Sequence, residues 1–195
     1  MAYTEADIEE LVSRKNIHEV LTRYCRGIDR CDIDLLRSVY WEDGFDDHGT
    51  FAGNAQEFAE YVIPAIQASF EVTMHAITNV HMDIAGDVAC TECYVIAYHK
   101  FRGDRDKAEL IFGSRYVEQF DWSETGLLPQ QFFFGGRYID RFERRGGEWR
   151  IFKRTVVMDW NDTRPSGEIL DQGLFAALTL RGQRGALDPV FSNRL

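Results

Sequence analysis

The 195-residue chain is poor in positive charge: 22 Lys and Arg stand against 32 Asp and Glu, a formal net charge of −10. Nucleic acids and anionic membrane surfaces are recognised by concentrated Lys and Arg, so neither is expected as a partner. The arginines that do cluster, in "RFERRGGEWR", surround a predicted hairpin turn and alternate with acids, the pattern of a solvated edge. Long apolar runs are missing too, and none approaches the roughly 20 residues a bilayer-spanning helix needs. The opening "MAYTEADIEELVSRKN" is polar and acidic where a secretory signal is basic and then apolar, so the expected location is cytoplasmic. Cysteine is limited to four. "CTEC" has the spacing of a redox pair or half a zinc site, but no second CxxC and no HxxxH accompanies it. It lies in a strand-like run, where residues three apart face opposite sides, and Cys90 and Cys93 are read as structural. Internal repeats and low-complexity tracts are absent.

What is present suffices for a core. Hydrophobic residues make up 45% and aromatics 13%, and the length suits one domain. Thr4 followed by Asp7 reads as a helix cap, and Ile8, Leu11, Val12, Ile17, Val20, Leu21, Tyr24, Cys25 and Ile28 follow at helical spacing. Gly27 and the acids after it mark the expected end. A short second helix is predicted over 32–40 with Asp32 as cap. "WEDGFDDHGTFAG" is turn-rich with a small hairpin, and Asn54 with Glu57 opens a third helix that Pro64 would kink or split. From Val72 the period becomes alternating, with strand-like runs over 72–84, 88–101, 108–121, 131–143 and 148–160. The connections are "AGD", "RGDRDK", "WSETGLLPQ" and "RRGG". Helices followed by an antiparallel meander is an α+β layout, and a strongly curved sheet around helices leaves an internal pocket. The domain is expected over 1–160. Residues 161–195, with the apolar patch "LFAALTL", read as a tail packing on its own or a neighbouring subunit.

Histidine is the residue type that titrates nearest neutral pH, and there are five: His18, His48, His75, His81 and His99. They lack metal-ligand spacing; His75 and His81 are six strand residues, about 20 Å, apart. No metal and no cofactor is expected. On the predicted strand, Thr73, His75, Ile77, Asn79 and His81 share one face. A strand histidine can be plain core, or a base if a carboxylate orients it. Asp29 is the candidate carboxylate: it ends the first helix, where the dipole prefers cations, so its presence there asks for another partner. A carboxylate that holds the imidazole tautomer and stabilises its protonated form frees the other ring nitrogen to remove a proton.

"VLTRYCRGIDRCDIDLLRSVYWEDG", "TMHAITN" and "GGRYIDRFERRGGEWRIFKRTVVMDW" together resemble the SnoaL-like branch of the nuclear transport factor two-like superfamily, over residues 8–160. The resemblance implies a cone-shaped α+β barrel with a deep apolar pocket and, in dehydratase-like members, a homotrimer. It also implies that Asp29 pairs with His75, and that Tyr24, five residues before the Asp, faces substrate. His48 and His99 match positions of a second polar group, with Tyr98 competing with His99 because neighbouring strand residues face opposite ways. Arg137 and Tyr138 begin a strand that lines the pocket in this family, and either can point in. Asn79, Trp41 and Phe45 complete the expected substrate-binding set. Tyr24, Tyr40, Trp41, Phe45, Phe51, Tyr94, Tyr98, Phe112, Tyr116 and the run Phe132–Phe134 fill the candidate pocket regions; most are read as core, and a minority at the mouth of the cone would suit a flat ligand.

The expected activity is a cofactor-independent lyase that eliminates water or formaldehyde from a hydroxylated, apolar, aromatic substrate such as a lignin-derived diaryl compound or a steroid. Family members of other kinds imply two alternatives: an isomerase or cyclase of the ketosteroid type, and a non-catalytic ligand-binding or accessory subunit.

Overall fold

The computed structural model describes residues 3–102, 107–112, 115–121 and 130–193, with side chains over 3–102 and 131–192. Helix α1 (Glu5–Arg30) starts at a full capping box, in which Thr4 accepts from the Asp7 N–H while the Asp7 carboxylate accepts from Thr4. It does not end at Gly27, where the sequence suggests a stop. Gly27 is a packing notch: a Cβ there would sit 3.1–3.2 Å from the Leu36 backbone and side chain, so its absence lets α2 (Ile33–Ser38) lie close. The stop is Cys31, with φ 52°. Asp32 caps α2 as expected, accepting from Leu35 N–H.

Strands β1 (Tyr40–Asp47) and β2 (Ala52–Asn54) form the small hairpin expected in the turn-rich stretch. Asn54 then caps α3 (Ala55–Ser69), which runs through Pro64 undivided. The remaining long strands are β3 (Phe70–Ala85), β4 (Val88–Phe101), β7 (Gln130–Arg145) and β8 (Glu148–Pro165). They join the hairpin in one six-stranded sheet ordered β2-β1-β8-β7-β4-β3. All neighbours are antiparallel except β1 and β8, which run parallel. That pairing departs from the simple meander: β1 precedes the other long strands and closes against the last of them. Helix α1 borders both β3 and β8, and α3 borders both β1 and β3. One helical layer thus meets both ends of the strand order, which a curved sheet permits and a flat one does not. The run expected over 108–121 is instead two strands, β5 (Lys107–Phe112) and β6 (Arg115–Asp121), paired as a separate hairpin. The side chains of Phe112 and Tyr116, and the loop residues 122–129, lie outside the described residues. After β8, the chain forms only a four-residue helix α4 (Gly173–Ala176) and two short 3-10 turns. Among the described residues no helix is long and apolar enough to cross a membrane.

The core between helices and sheet includes Ile17, Leu21, Phe58, Phe70, Phe142 and Ile151, all essentially without exposed surface. It also encloses a charge. Arg154 of β8 is fully buried, bonded to Asp140 of β7 through Nε (2.8 Å) and Nη2 (2.7 Å). Its guanidinium lies 3.9 Å from the ring centre of Tyr24 and 4.1 Å from that of Tyr138. Removing one member of such a pair strands the other charge in a low-dielectric interior. Asp140→Ala is expected to destabilise the protein by about 3–5 kcal/mol in urea unfolding; a loss below about 1 kcal/mol would show the guanidinium to be satisfied without its carboxylate.

Candidate active site

Asp29 lies in the last turn of α1, an electrostatically poor place for a carboxylate. Three donors offset that. His75 N–H reaches Asp29 Oδ2 at 2.9 Å, the Thr73 hydroxyl reaches Oδ1 at 3.0 Å, and His75 Nδ1 reaches Oδ1 at 2.7 Å. Thr73, His75 and Ile77 alternate along β3 toward α1, so the strand period delivers all three side chains to the helix end. Burial alone would raise the Asp29 pKa. The hydrogen bonds and charge of His75, with the Thr73 hydroxyl, outweigh it and hold the carboxyl below the usual range. An ionised carboxylate only accepts, so His75 Nδ1 carries the donated proton, which leaves Nε2 as the ring nitrogen that bears the lone pair whenever the imidazole is neutral. No described residue takes Nε2.

Asp29 and His75 both line a cavity of about 340 Å³. Thr22, Cys25, Arg26 and Arg30 of α1 form one side, with Ile77 of β3 and Val190 of the C-terminal segment. Burial pushes the Cys25 thiol up to about 12, so it faces the cavity as a neutral group. The C-terminal segment is fastened beside the pair. Arg184 Nη1 lies 2.9 Å from Cys31 Sγ, 3.4 Å from Thr73 Oγ1 and 3.5 Å from the Asp29 carbonyl oxygen, and Nε donates to the Glu71 carbonyl at 3.2 Å. Asp188 meets Arg30 Nε at 3.3 Å and accepts from the N–H groups of Gln183 (2.9 Å) and Val190 (3.0 Å).

The structure brings Asp29 and His75 together and takes most of the other expected residues elsewhere. Tyr24 does not line the cavity. Five residues turn a helix by about 140° from Asp29, and Tyr24 is buried against Arg154 with its hydroxyl 3.1 Å from His48 Nε2. Burial drives its pKa well above the ordinary phenol value. His48 belongs to that same interior network: its Nδ1 pairs with Asp46, whose other oxygen accepts from Tyr40 at 2.5 Å. Tyr138 is the inward residue of its pair, yet it packs in this core, while Arg137 faces outward against Asp159 and Glu92. His99 is the inward residue of the other pair. Its ring lies 5.4 Å from that of His75, behind it among Phe70 and Phe132. Tyr98 lies on the outer face beside Phe133. Asn79 fails for a different reason: it sits at a bulge with φ 50°, which reverses the alternation. Val80 and Met82 turn inward there, and Asn79 and His81 are exposed. Trp41 donates to the Glu143 carbonyl beneath Arg145 and Arg150, and the exposed ring of Phe45 lies under Lys153. Neither reaches the cavity.

Sequence reasoning overlooked Thr22, Cys25, Arg26, Arg30 and Val190. The first four were within reach of a helical-wheel argument, since offsets of −7, −4, −3 and +1 from Asp29 fall within about 100° of it. Nothing local marks Val190 or Arg184, whose positions come from long-range docking of a segment with little regular structure. Among the described residues no aromatic ring other than His75 lines this cavity. Among the described residues no three His, Cys, Asp or Glu side chains cluster as metal ligands do.

Comparison with known proteins agrees with this architecture. The SnoaL-like domain matches residues 9–155. Among curated proteins none matches. Solved structures do, at low identity. A hexachlorocyclohexane dehydrochlorinase of LinA type 3 from Novosphingobium barchaimii superposes with TM-score 0.62 at 19% identity, over 84% of this chain and 96% of that one. A protein from Kribbella flavida gives 0.61 at 18%, over 78% and 95%. A candidate scytalone dehydratase from Novosphingobium aromaticivorans gives 0.59 at 17%, over 82% and 97%. These likenesses establish a common fold.

His99 yields a prediction about pH. Burial first, and the neighbouring His75 second, push its pKa from 6.5 down to about 3. In the unfolded chain it titrates near 6.5. Between those limits the unfolded state binds a proton that the folded state refuses, so stability falls as pH drops below 6.5. From pH 7 to pH 5 this amounts to about 2 kcal/mol. His99→Phe should lose less stability than the parent over that range, by about that amount, in urea melts at the two pH values. Equal losses in both proteins would mean that His99 is charged in the fold.

Proposed function

The chain belongs to the SnoaL-like domain family, and from that premise we propose that it is a cofactor-independent lyase eliminating water or formaldehyde from a hydroxylated apolar compound. One observation carries the reading: a histidine locked by a carboxylate through Nδ1, both residues lining one cavity, with no described residue bonded to the other ring nitrogen. The fold shared with a dehydrochlorinase and a candidate dehydratase, both named for eliminations, supports it.

For dehydration, His75 Nε2 removes a proton from the carbon adjacent to the one bearing the hydroxyl. The C–H electron pair becomes the new double bond, and the C–O bond breaks. The imidazolium, stabilised by Asp29, returns the proton to the departing oxygen, which leaves as water. For formaldehyde loss, Nε2 takes the proton of a hydroxymethyl O–H. The carbon–carbon bond breaks with its electrons remaining on the substrate, and the imidazolium protonates that carbon. Both sequences return His75 to its starting tautomer. Asp29 stays ionised throughout, consistent with a carboxyl held acidic by three donors. The Cys25 thiol and the hydroxyl of Thr22 are neutral groups able to contact the leaving oxygen.

The test is incubation with a panel of hydroxylated apolar compounds, aromatic and alicyclic, without added cofactor, followed by mass spectrometry. Product lighter by water or formaldehyde is expected. His75→Ala should lower the rate about 10²–10⁴-fold, and Asp29→Asn by at least about 10²-fold, with circular dichroism confirming that each variant folds. Near-parental turnover in His75→Ala would overturn the mechanism. A product of unchanged mass and altered absorption would replace the lyase with an isomerase that returns the proton to another carbon.

A further inference from the structure

Two guanidinium groups, Arg26 and Arg30, stand one helical turn apart on the cavity side of α1. Their surroundings are unequal. Arg30 Nε has Asp188 at 3.3 Å. Among the described residues Arg26 has no hydrogen-bond acceptor and no carboxylate in ion-pair range, and it lies 5.7 Å over the Phe191 ring. A single carboxylate from the C-terminal segment therefore serves two cations. Asp29 does not supply a second, since His75 and Thr73 occupy its oxygens.

Unpaired arginines are ordinary on a solvated surface. Arg26 is exposed and Arg30 half-buried and paired, but both border the cavity that holds His75, in a chain whose net charge is −10. Asp188 shows what their side of the cavity accepts: an oxyanion, almost completely buried, taking hydrogen bonds from backbone N–H groups beside a guanidinium. Asp188 keeps those backbone donors to itself, and a ligand carboxylate would instead meet the guanidinium of Arg26, with Arg30 one turn away.

We propose that Arg26 and Arg30 form an anion subsite, and that the substrate of the lyase reaction is an apolar hydroxylated carboxylic acid. The inference rests on the lyase reading of this cavity. The carboxylate is held by the two arginines, and the reacting carbon lies beside His75 Nε2. The carboxylate must be remote from the carbon that loses its proton, because an adjacent negative charge opposes carbanion formation. The apolar body lies along Ile77 and Val190, the aliphatic side chains of the lining.

The subsite is tested by binding alone, with phenylpropanoate and its methyl ester as probes in calorimetric or NMR titrations of the full-length protein. The acid should bind about tenfold tighter than the ester, and added salt should narrow the gap. Arg26→Gln with Arg30→Gln should erase the difference while leaving ester affinity unchanged. Asp188→Asn, which removes the competing carboxylate, should tighten binding of the acid and not of the ester. Equal affinity for the two probes, a preference that survives the double substitution, or no acid binding at millimolar concentration would each overturn the assignment. His75→Ala should keep the full preference for the acid. A His75→Ala protein that still turns over substrate sinks the lyase reading and leaves the anion subsite to stand on these titrations.

Discussion

A positive charge with no exposed surface sits at the centre of this fold. Arg154 belongs to β8, its carboxylate partner Asp140 to β7, and the rings that sandwich it to α1 and β7. Through Tyr24 and His48 the network continues to Asp46 and Tyr40 of β1, so four elements share one polar cluster inside an apolar core. Burying a guanidinium is costly unless its partners are held in place, and apolar contacts tolerate sliding where a bidentate ion pair does not. The cluster therefore fixes the rotation of α1 about its own axis. With Tyr24 anchored on Arg154, the helix directs Thr22, Cys25, Arg26 and Asp29 to the opposite side, toward β3 and the cavity. The placement of Asp29 beside His75 thus depends in part on a charge buried on the far side of the helix.

Among the described residues three histidines meet a carboxylate, His81 with Asp83 on the exposed surface and His48 and His75 inside, and the contrast between the inner two explains why only one is read as a base. His48 is engaged at both nitrogens, by Asp46 and by the Tyr24 hydroxyl, and it stacks on Phe58 with ring centres 4.4 Å apart. His75 is engaged at one nitrogen and lines a cavity, and no described residue bonds the other. The same pairing thus braces the core in one place and, under the proposed mechanism, supplies a base in the other. Vacancy of the second nitrogen separates the roles; strength of pairing does not. His99, kept neutral behind His75, adds polarisable bulk without adding a charge that would compete for Asp29.

Local rules carried much of the fold. Thr4, Asp32 and Asn54 all cap helices, and the alternation from Val72 onward marks β3 and β4 and groups Thr73, His75 and Ile77 on one face, as found. The pairing of Asp29 with His75 joined residues 46 positions apart, and it came from a family resemblance combined with the awkwardness of a carboxylate at a helix C-terminus. The misplacements share a cause: each depends on something nonlocal or on one irregular residue. Asn79 adopts a left-handed conformation, and the single-residue shift turns the rest of β3 over. Gly27 looks like a terminator, yet its role is to admit Leu36. The parallel contact of β1 with β8 has no signature in either strand. Tyr24 was assigned by spacing from Asp29, although the helix period already places the two on different sides.

The cavity also has an unusual history within the chain. One wall is laid down by residue 30, whereas Arg184, which meets the Asp29 carbonyl, follows it by 155 positions and lies outside the stretch matched by the family. On a ribosome the acid–base pair can form while this closing segment is still unmade. Loop closure over such a span is entropically expensive, and a segment held by a few polar contacts with little regular structure belongs to the part of a protein that detaches at low free energy. Opening and closing of the cavity therefore need not disturb the sheet. The pair joins α1 to β3 within the family's own fold, whereas its enclosure depends on a segment made after that fold.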